Sequence, residues 1–188
     1  METTQQPITE LVQMRLTGSW SDYKTIFEDE LLPLLCSAPG MVSVRTGPKL
    51  LAPHSQFDTH EIVSITQWRS LKAHGDFVKS ARGQKFLQGA GAHMVGPPTV
   101  THYDLGSLNS SDSWVVCSQG NEAASFNSDP RTVTQAGQEM KDKSHTMTLA
   151  FLSTEDALRH AIKPTVGAAV SFGVHVQSYR EGQKGSRL

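Results

Sequence analysis

The sequence predicts an α+β fold in which one strand–helix–strand pattern occurs twice, giving two related sheets that pack together and can enclose a pocket. Three observations carry this. Residues 59–105, THEIVSITQWRSLKAHGDFVKSARGQKFLQGAGAHMVGPPTVTHYDL, are echoed more loosely by residues 144–180, SHTMTLAFLSTEDALRHAIKPTVGAAVSFGVHVQSYR. Each copy runs from a His near a β-rich strand, through a Ser or Thr that opens a helix containing His74 or His160, to a strand ending in Tyr103 or Tyr179. Between the copies lies GSLNSSDS, whose Ser, Asn and Gly content reads as a linker.

The elements follow in order. Residues 8–16 alternate as a strand, with Ile8, Val12, Met14 and Leu16 on one face. Ser21 or Asp22 can cap a helix whose Tyr23, Ile26, Phe27, Leu31, Leu34 and Leu35 recur at three- and four-residue spacing. Pro33 predicts a kink in its last turn, and Pro39-Gly40 stops it. A second strand begins at residues 41–45, and residues 47–58, GPKLLAPHSQFD, read as a loop or irregular hairpin able to cover a pocket mouth. Residues 59–68 form the clearest strand, with both faces covered. Ser70 caps a helix striped by Leu71, His74, Phe77 and Val78, a second helical piece follows around residues 84–87, and Gly96-Pro97-Pro98 precedes a strand over residues 99–103. In the second copy, residues 114–119 start a strand and residues 132–141 suggest a degenerate helix. Strand, helix and strand then fall at residues 145–153, 154–162 and 174–180, with Pro164 and Gly167 interrupting the helix. The domain reading is residues 1–106, a linker at 107–113, a degenerate half at 114–182 and a tail at 183–188.

Composition narrows the function. A chain of 188 residues can bury a sizeable core, and its 17 basic and 18 acidic side chains show no basic run able to neutralise phosphates, so nucleic acid is not an expected partner. No apolar run approaches the roughly 20 residues that cross a bilayer, and METTQQPITEL lacks the regions of a signal peptide. The expectation is a soluble protein with no membrane insertion, in the cytoplasm or, because Ser186-Arg187-Leu188 resembles the small-basic-leucine import tripeptide, the peroxisome. Cys36 and Cys117 lack CxxC or zinc spacing and read as reduced thiols. No metal-ligand cluster stands out, and GxGxxG, GxxxxGK[ST] and GxSxG are absent, so the expected metal and cofactor complement is none.

Residues 1–105, ordered strand, helix, strand, strand, helix, strand, resemble a ferredoxin-like half of the dimeric α/β barrel. The run from Ile62 through Trp68, Ser70, Ala73-His74, Phe86-Leu87 and Gly96-Pro97-Pro98 to Tyr103 resembles the antibiotic-biosynthesis monooxygenase domain family. The resemblance implies two ferredoxin-like repeats whose antiparallel sheets pack as a pseudo-dimeric α/β barrel, the second copy degenerate. It also implies a monomer or weak homodimer, and a pocket between a sheet and its helices. Relatives span cofactor-independent oxygenases of aromatic polyketides, haem-degrading enzymes, decarboxylases, dehydratases and cyclases. The haem branch is disfavoured, since the helix position that should supply a ligating His falls at Phe77 and Val78.

Histidines are the most useful candidates for chemistry, because a neutral imidazole accepts a proton near physiological pH. His60 and His102 are candidate catalytic residues with Tyr103, whose hydroxyl could donate to an oxyanion. Trp68, Trp114, His145, His175 and Arg45 are candidates for binding a flat substrate or its carboxylate. Each also has a reading as a strand-end polar residue or a packing residue, and His74 and His160 read as packing or surface residues. The leading expectation is a cofactor-independent enzyme of secondary metabolism. It would promote cyclisation, pericyclic rearrangement, dehydration or decarboxylation of a small apolar or aromatic, polyketide- or terpenoid-like intermediate. The alternatives are a cofactor-free monooxygenase of an aromatic polyketide and a non-catalytic ligand-binding barrel.

Overall fold

In the computed structural model the described residues are 7–52, 55–108, 110–121, 123, 126, 132–162 and 170–180. Four strands of the first half, β1 (Ile8–Arg15), β2 (Met41–Leu50), β3 (Asp58–Trp68) and β4 (Thr99–Tyr103), are interleaved with helices α1 (Trp20–Ile26), α2 (Leu32–Cys36), α3 (Leu71–Lys79) and α4 (Ala81–Gly91). The second half supplies β5 (Trp114–Gly120), β6 (Val133–Gln138), β7 (Thr146–Leu152), α5 (Glu155–Ala161), β8 (Val170–His175) and β9 (Gln177–Arg180). All nine strands form one sheet ordered β4-β1-β3-β2-β8-β5-β7-β6, with β9 also on β2. Its two ends meet: Asp104 N donates to Gln138 O at 3.1 Å and Met140 N to His102 O at 2.8 Å, nearly closing an antiparallel barrel. No described helix is long and apolar enough to cross a membrane.

Strand alternation sorts the core into layers. Leu11, Val63, Ile65, Cys117, Leu149 and Phe172 point into the barrel lumen, whereas Met14, Ile62 and Trp68 point outward under α1–α4 and Val116, Ala150 and Leu152 outward under α5. Every residue of β3 from Ile62 to Trp68 is therefore buried, because both of its faces are covered. Tyr23, Phe27, Leu31 and Leu35 form the buried stripe of the first helical segment. A π-helical turn (Phe27–Leu31) separates α1 from α2, so the chain restarts as Pro33, which has no N–H to give, enters at the start of α2.

The two halves are stitched by residues 170–180, whose first part pairs with β5 and, near β2's end, with Lys49 and Leu50, and whose last part pairs with residues 43–46 of β2. At this seam a Cβ on Gly47 would stand 1.7 Å from the His175 carbonyl oxygen, so only glycine fits. The segment between the halves is part of the structure. Gln67 Nε2 donates to Gly106 O at 2.6 Å, Leu108 N donates to Gln67 Oε1 at 3.3 Å, Arg45 donates to the Ser110 carbonyl, and Leu108 is buried in the lumen cluster.

One expectation is corrected and another is narrowed. Residues 133–138 form an edge strand rather than a helix. The three- and four-residue spacing of Val133, Ala136 and Met140 suggests a helix, but the backbone pairs with β7 and comes within reach of β4, where a Cβ on Gly137 would lie 2.6 Å from Asp104 O. Of the two readings of residues 47–58, loop or irregular hairpin, the hairpin holds: β2 runs on to Leu50, where β3, with a register shift, and residues 173–174 pair with it. Pro164, Gly167 and the terminal Ser186-Arg187-Leu188 lie outside the described residues.

Candidate active site

On β1, the helix-facing positions 8, 10, 12 and 14 read Ile, Glu, Val, Met, so a carboxylate interrupts an apolar face. Glu10 is only 9% exposed. Sheet register sets Thr66 and His102 directly beside it on β3 and β4. α3 adds a second imidazole: the Ser70 hydroxyl accepts from Ala73 N at 3.1 Å, fixing the first turn so that His74, one turn in, reaches back over the sheet.

The groups converge on the carboxylate. His74 Nε2 lies 3.1 Å from Glu10 Oε1, and Trp68 Nε1 donates to Glu10 Oε2 at 3.0 Å. The His74 and His102 rings are 4.8 Å apart between centroids, and Trp68 packs against His74 at 5.2 Å. His102 Nε2 is buried with no hydrogen-bond partner. Burial alone would raise the Glu10 pKa, but the hydrogen bond and charge of His74, the Trp68 N–H and the nearby His102 together hold it below its ordinary value. Burial lowers the His102 pKa, with His74 and Lys141 adding to the effect and Glu10 opposing it. The corner thus favours the ionised form of the carboxylate and the neutral form of the His102 imidazole, one ring nitrogen of which is unused.

This corner opens into a cavity of about 280 Å³ between the outer face of the first-half sheet and its helices. Thr46, Ser64 and Thr66 set hydroxyl-bearing side chains in the floor, Tyr23, Phe27, Phe77 and Phe86 form the roof, and Gly96-Pro97-Pro98 and Val100 edge it. The volume lies just below the roughly 300–1,000 Å³ typical of ligand pockets, which suits a compact apolar molecule.

Of the residues singled out from sequence, the structure brings together Trp68 and His102. Tyr103, next along β4, faces the opposite side: its hydroxyl accepts from Gln119 Nε2 at 2.7 Å, in a lumen chain that continues through Gln13 to Lys49. Arg45 is also in the lumen, 5.2 Å from the Phe151 ring centroid. His60 is exposed on β3, and His145 is exposed beside Glu139 and Asp142, 3.5 and 3.4 Å away. Trp114 and His175 stack on each other at 4.1 Å on the second half. Glu10 and His74 were missed as functional residues. The signal for Glu10 was its place inside the apolar face of β1; for His74 it was the four-residue step from the Ser70 cap. One ligand-type atom from each of Glu10, His74 and His102 lies within 4.8 Å of the others, a grouping that does not stand out from sequence spacing.

No protein-family model matches the chain, and no curated protein matches it in sequence. Solved structures do. An anthrone oxidase-like protein superposes with a TM-score of 0.62 at 12% identity, covering 97% of both chains. A candidate monooxygenase from Fusobacterium nucleatum gives 0.60 at 10% identity over 93% of both chains. A second, from Lactobacillus acidophilus, gives 0.56 at 11% over 93% of this chain and 94% of its own. Full-length likeness at this identity speaks for architecture alone: the chain shares the fold of these structures, a nearly closed antiparallel sheet flanked by helices with both halves supplied by one polypeptide.

Proposed function

We propose that the chain is a small-molecule enzyme that moves a proton on an apolar, polyketide- or terpenoid-like intermediate held under α1–α4, so promoting cyclisation, rearrangement, dehydration or decarboxylation. The observation that carries this reading is the unpartnered, buried His102 Nε2 beside Glu10, whose carboxylate lines a largely apolar cavity. Neutral His102 would take a proton from an acidic C–H or O–H of the substrate. The resulting imidazolium would be stabilised by the Glu10 carboxylate, which His74 and Trp68 hold in place. The same proton would then return to another carbon or to a leaving oxygen, and the aromatic roof would keep the anion from water. This chemistry needs no group beyond the side chains present.

A second reading, oxygenation, is favoured by one observation: structures of the same full-length fold are described as an anthrone oxidase-like protein and as candidate monooxygenases. Its first step would be the same deprotonation, after which the electron-rich anion would react with dioxygen. One assay separates the readings. Purified protein is mixed at substoichiometric concentration with candidate polyketide and terpenoid intermediates, with and without oxygen. Anaerobic turnover supports the proton-transfer enzyme, turnover only in oxygen supports the second reading, and stoichiometric binding without consumption defeats both. His102→Ala is expected to cut turnover at least about a hundredfold; wild-type rates in that variant would remove His102 from the mechanism.

A further inference from the structure

We infer that Glu10, His74 and His102 form a capture site for a zinc-class divalent cation, and that an ion held there blocks the proton transfer assigned to His102. The binding rests on geometry alone; only the blocking rests on the proposed function. Two imidazoles and one carboxylate are the N/O donor set that zinc takes when three protein ligands leave one position open. Here the open position would face the cavity.

The distances come close to what such an ion requires. Two donors about 2.0–2.1 Å from a tetrahedral zinc stand roughly 3.3–3.4 Å apart. Glu10 Oε1 and His74 Nε2 are already at 3.1 Å. With all three donor atoms within 4.8 Å of one another, the wider separation closes by a side-chain adjustment of about 1.5 Å. Two further features belong to a built site. Trp68 Nε1 holds Oε2 of Glu10, so that Oε1, which now faces His74 Nε2, is the oxygen that an ion entering between them would take, as hydrogen-bond donors behind metal-bound carboxylates arrange. His102 Nε2 is a buried ring nitrogen without a partner, and a coordinated cation would satisfy it. Occupancy would also consume the lone pair that a catalytic base needs, so ion and substrate proton would compete for His102.

The test titrates metal-free protein with Zn²⁺ by calorimetry and with Co²⁺ by absorption spectroscopy. One ion per chain is expected, with a tetrahedral Co²⁺ spectrum. Glu10→Gln and His102→Ala should each weaken binding at least about 100-fold, more than the 10–100-fold typical of losing an outer-shell group, and Trp68→Phe about tenfold. His145→Ala, in the exposed cluster with Glu139 and Asp142, should change nothing. Circular dichroism and melting curves identify variants that fail to fold. Undiminished binding in Glu10→Gln and His102→Ala, or none in the wild type, overturns the site. Zn²⁺ should inhibit turnover at the concentration at which it binds; unchanged or increased turnover overturns the blocking. Lost turnover in His102→Ala without zinc binding would sink this inference and spare the proposed function. Zinc binding by the wild type together with full turnover in His102→Ala would sink the proposed function and the blocking and leave the cation site standing.

Discussion

The two halves of the barrel share a strand plan but treat their outer faces differently. In the first half, the row Thr66–Glu10–His102 crosses β3, β1 and β4; in the second, the same pairing steps give Ala150–Val116–Gly173 across β7, β5 and β8. The last residue of β3 is Trp68 and that of β7 is Leu152. Four residues beyond the helix caps Ser70 and Thr154 stand His74 and Leu158. Every member of the polar cluster thus has an apolar or absent counterpart. The consequence is visible in packing: Gly173 lets α5 settle onto the sheet, where a Cβ would meet Ile162 Cδ1 at 2.5 Å and Leu158 Cδ2 at 2.9 Å, whereas aromatic side chains hold α1–α4 off the sheet and leave a cavity. A buried carboxylate is costly without partners, so the half that keeps Glu10 also keeps His74, His102 and Trp68. The half without it fills its floor with apolar contacts.

The strongest way to break this comparison is to give the first half the second half's row. Glu10→Val with His102→Gly is expected to abolish proton transfer, lowering turnover at least about a thousandfold. The fold should survive, because removing a buried carboxylate offsets the roughly 1–3 kcal/mol of leaving the Trp68 N–H without its acceptor. Turnover and melting temperature are read on the same protein; retained turnover would show that the polar row is structural.

This contrast was only partly legible in the sequence. Alternation gave β1 and β3, the breaks at Gly96-Pro97-Pro98 and GSLNSSDS bounded β4 and β5, the internal echo gave β7, and the Ser70 and Thr154 caps gave α3 and α5. Trp68 and His102 were recognisable as chemistry-bearing residues of those strands. Their meeting with Glu10 and His74 was not, since it depends on the β1–β4 register and on how α3 lies over the sheet. The repeat itself misled. The sequence echo sets His160 against His74 and Tyr179 against Tyr103, while cap spacing and strand pairing set Leu158 and Val174 at those places. β6 was hidden for the same reason, its strand character coming from β7 and β4 rather than from its own composition.

Next in size is the seam that makes two halves one barrel. Gly47→Ala sets a Cβ against a backbone carbonyl that cannot move aside without parting β2 from residues 175–176, so a loss of about 3 kcal/mol is expected in denaturant unfolding. Gly173→Ala meets only side-chain ends, which can yield, and should cost about 1–2 kcal/mol while leaving ligand binding in the first-half cavity unchanged. Equal losses in the two variants would mean that α5 is as rigidly seated as the backbone seam.

The smallest expected effect separates the halves by pH. The Glu10 pKa is held below its ordinary 4.5 in the folded state, so the unfolded chain binds the proton more readily there. Its contribution to stability is therefore present above pH 4.5 and lost as pH falls through the lowered folded value. Denaturant midpoints of wild type and Glu10→Gln should keep a constant difference above that range and converge below it. Turnover should show the linked effect. The Glu10 charge raises the His102 pKa, so Glu10→Gln lets burial lower it further, and the acid limb of the rate profile, already below the ordinary histidine value of 6.5, should move to still lower pH. The second half has no carboxylate in its corresponding row, and Val116→Ala there should leave both profiles in place. An acid limb that stays fixed in Glu10→Gln would mean that the carboxylate and the imidazole are neighbours without being electrostatically coupled.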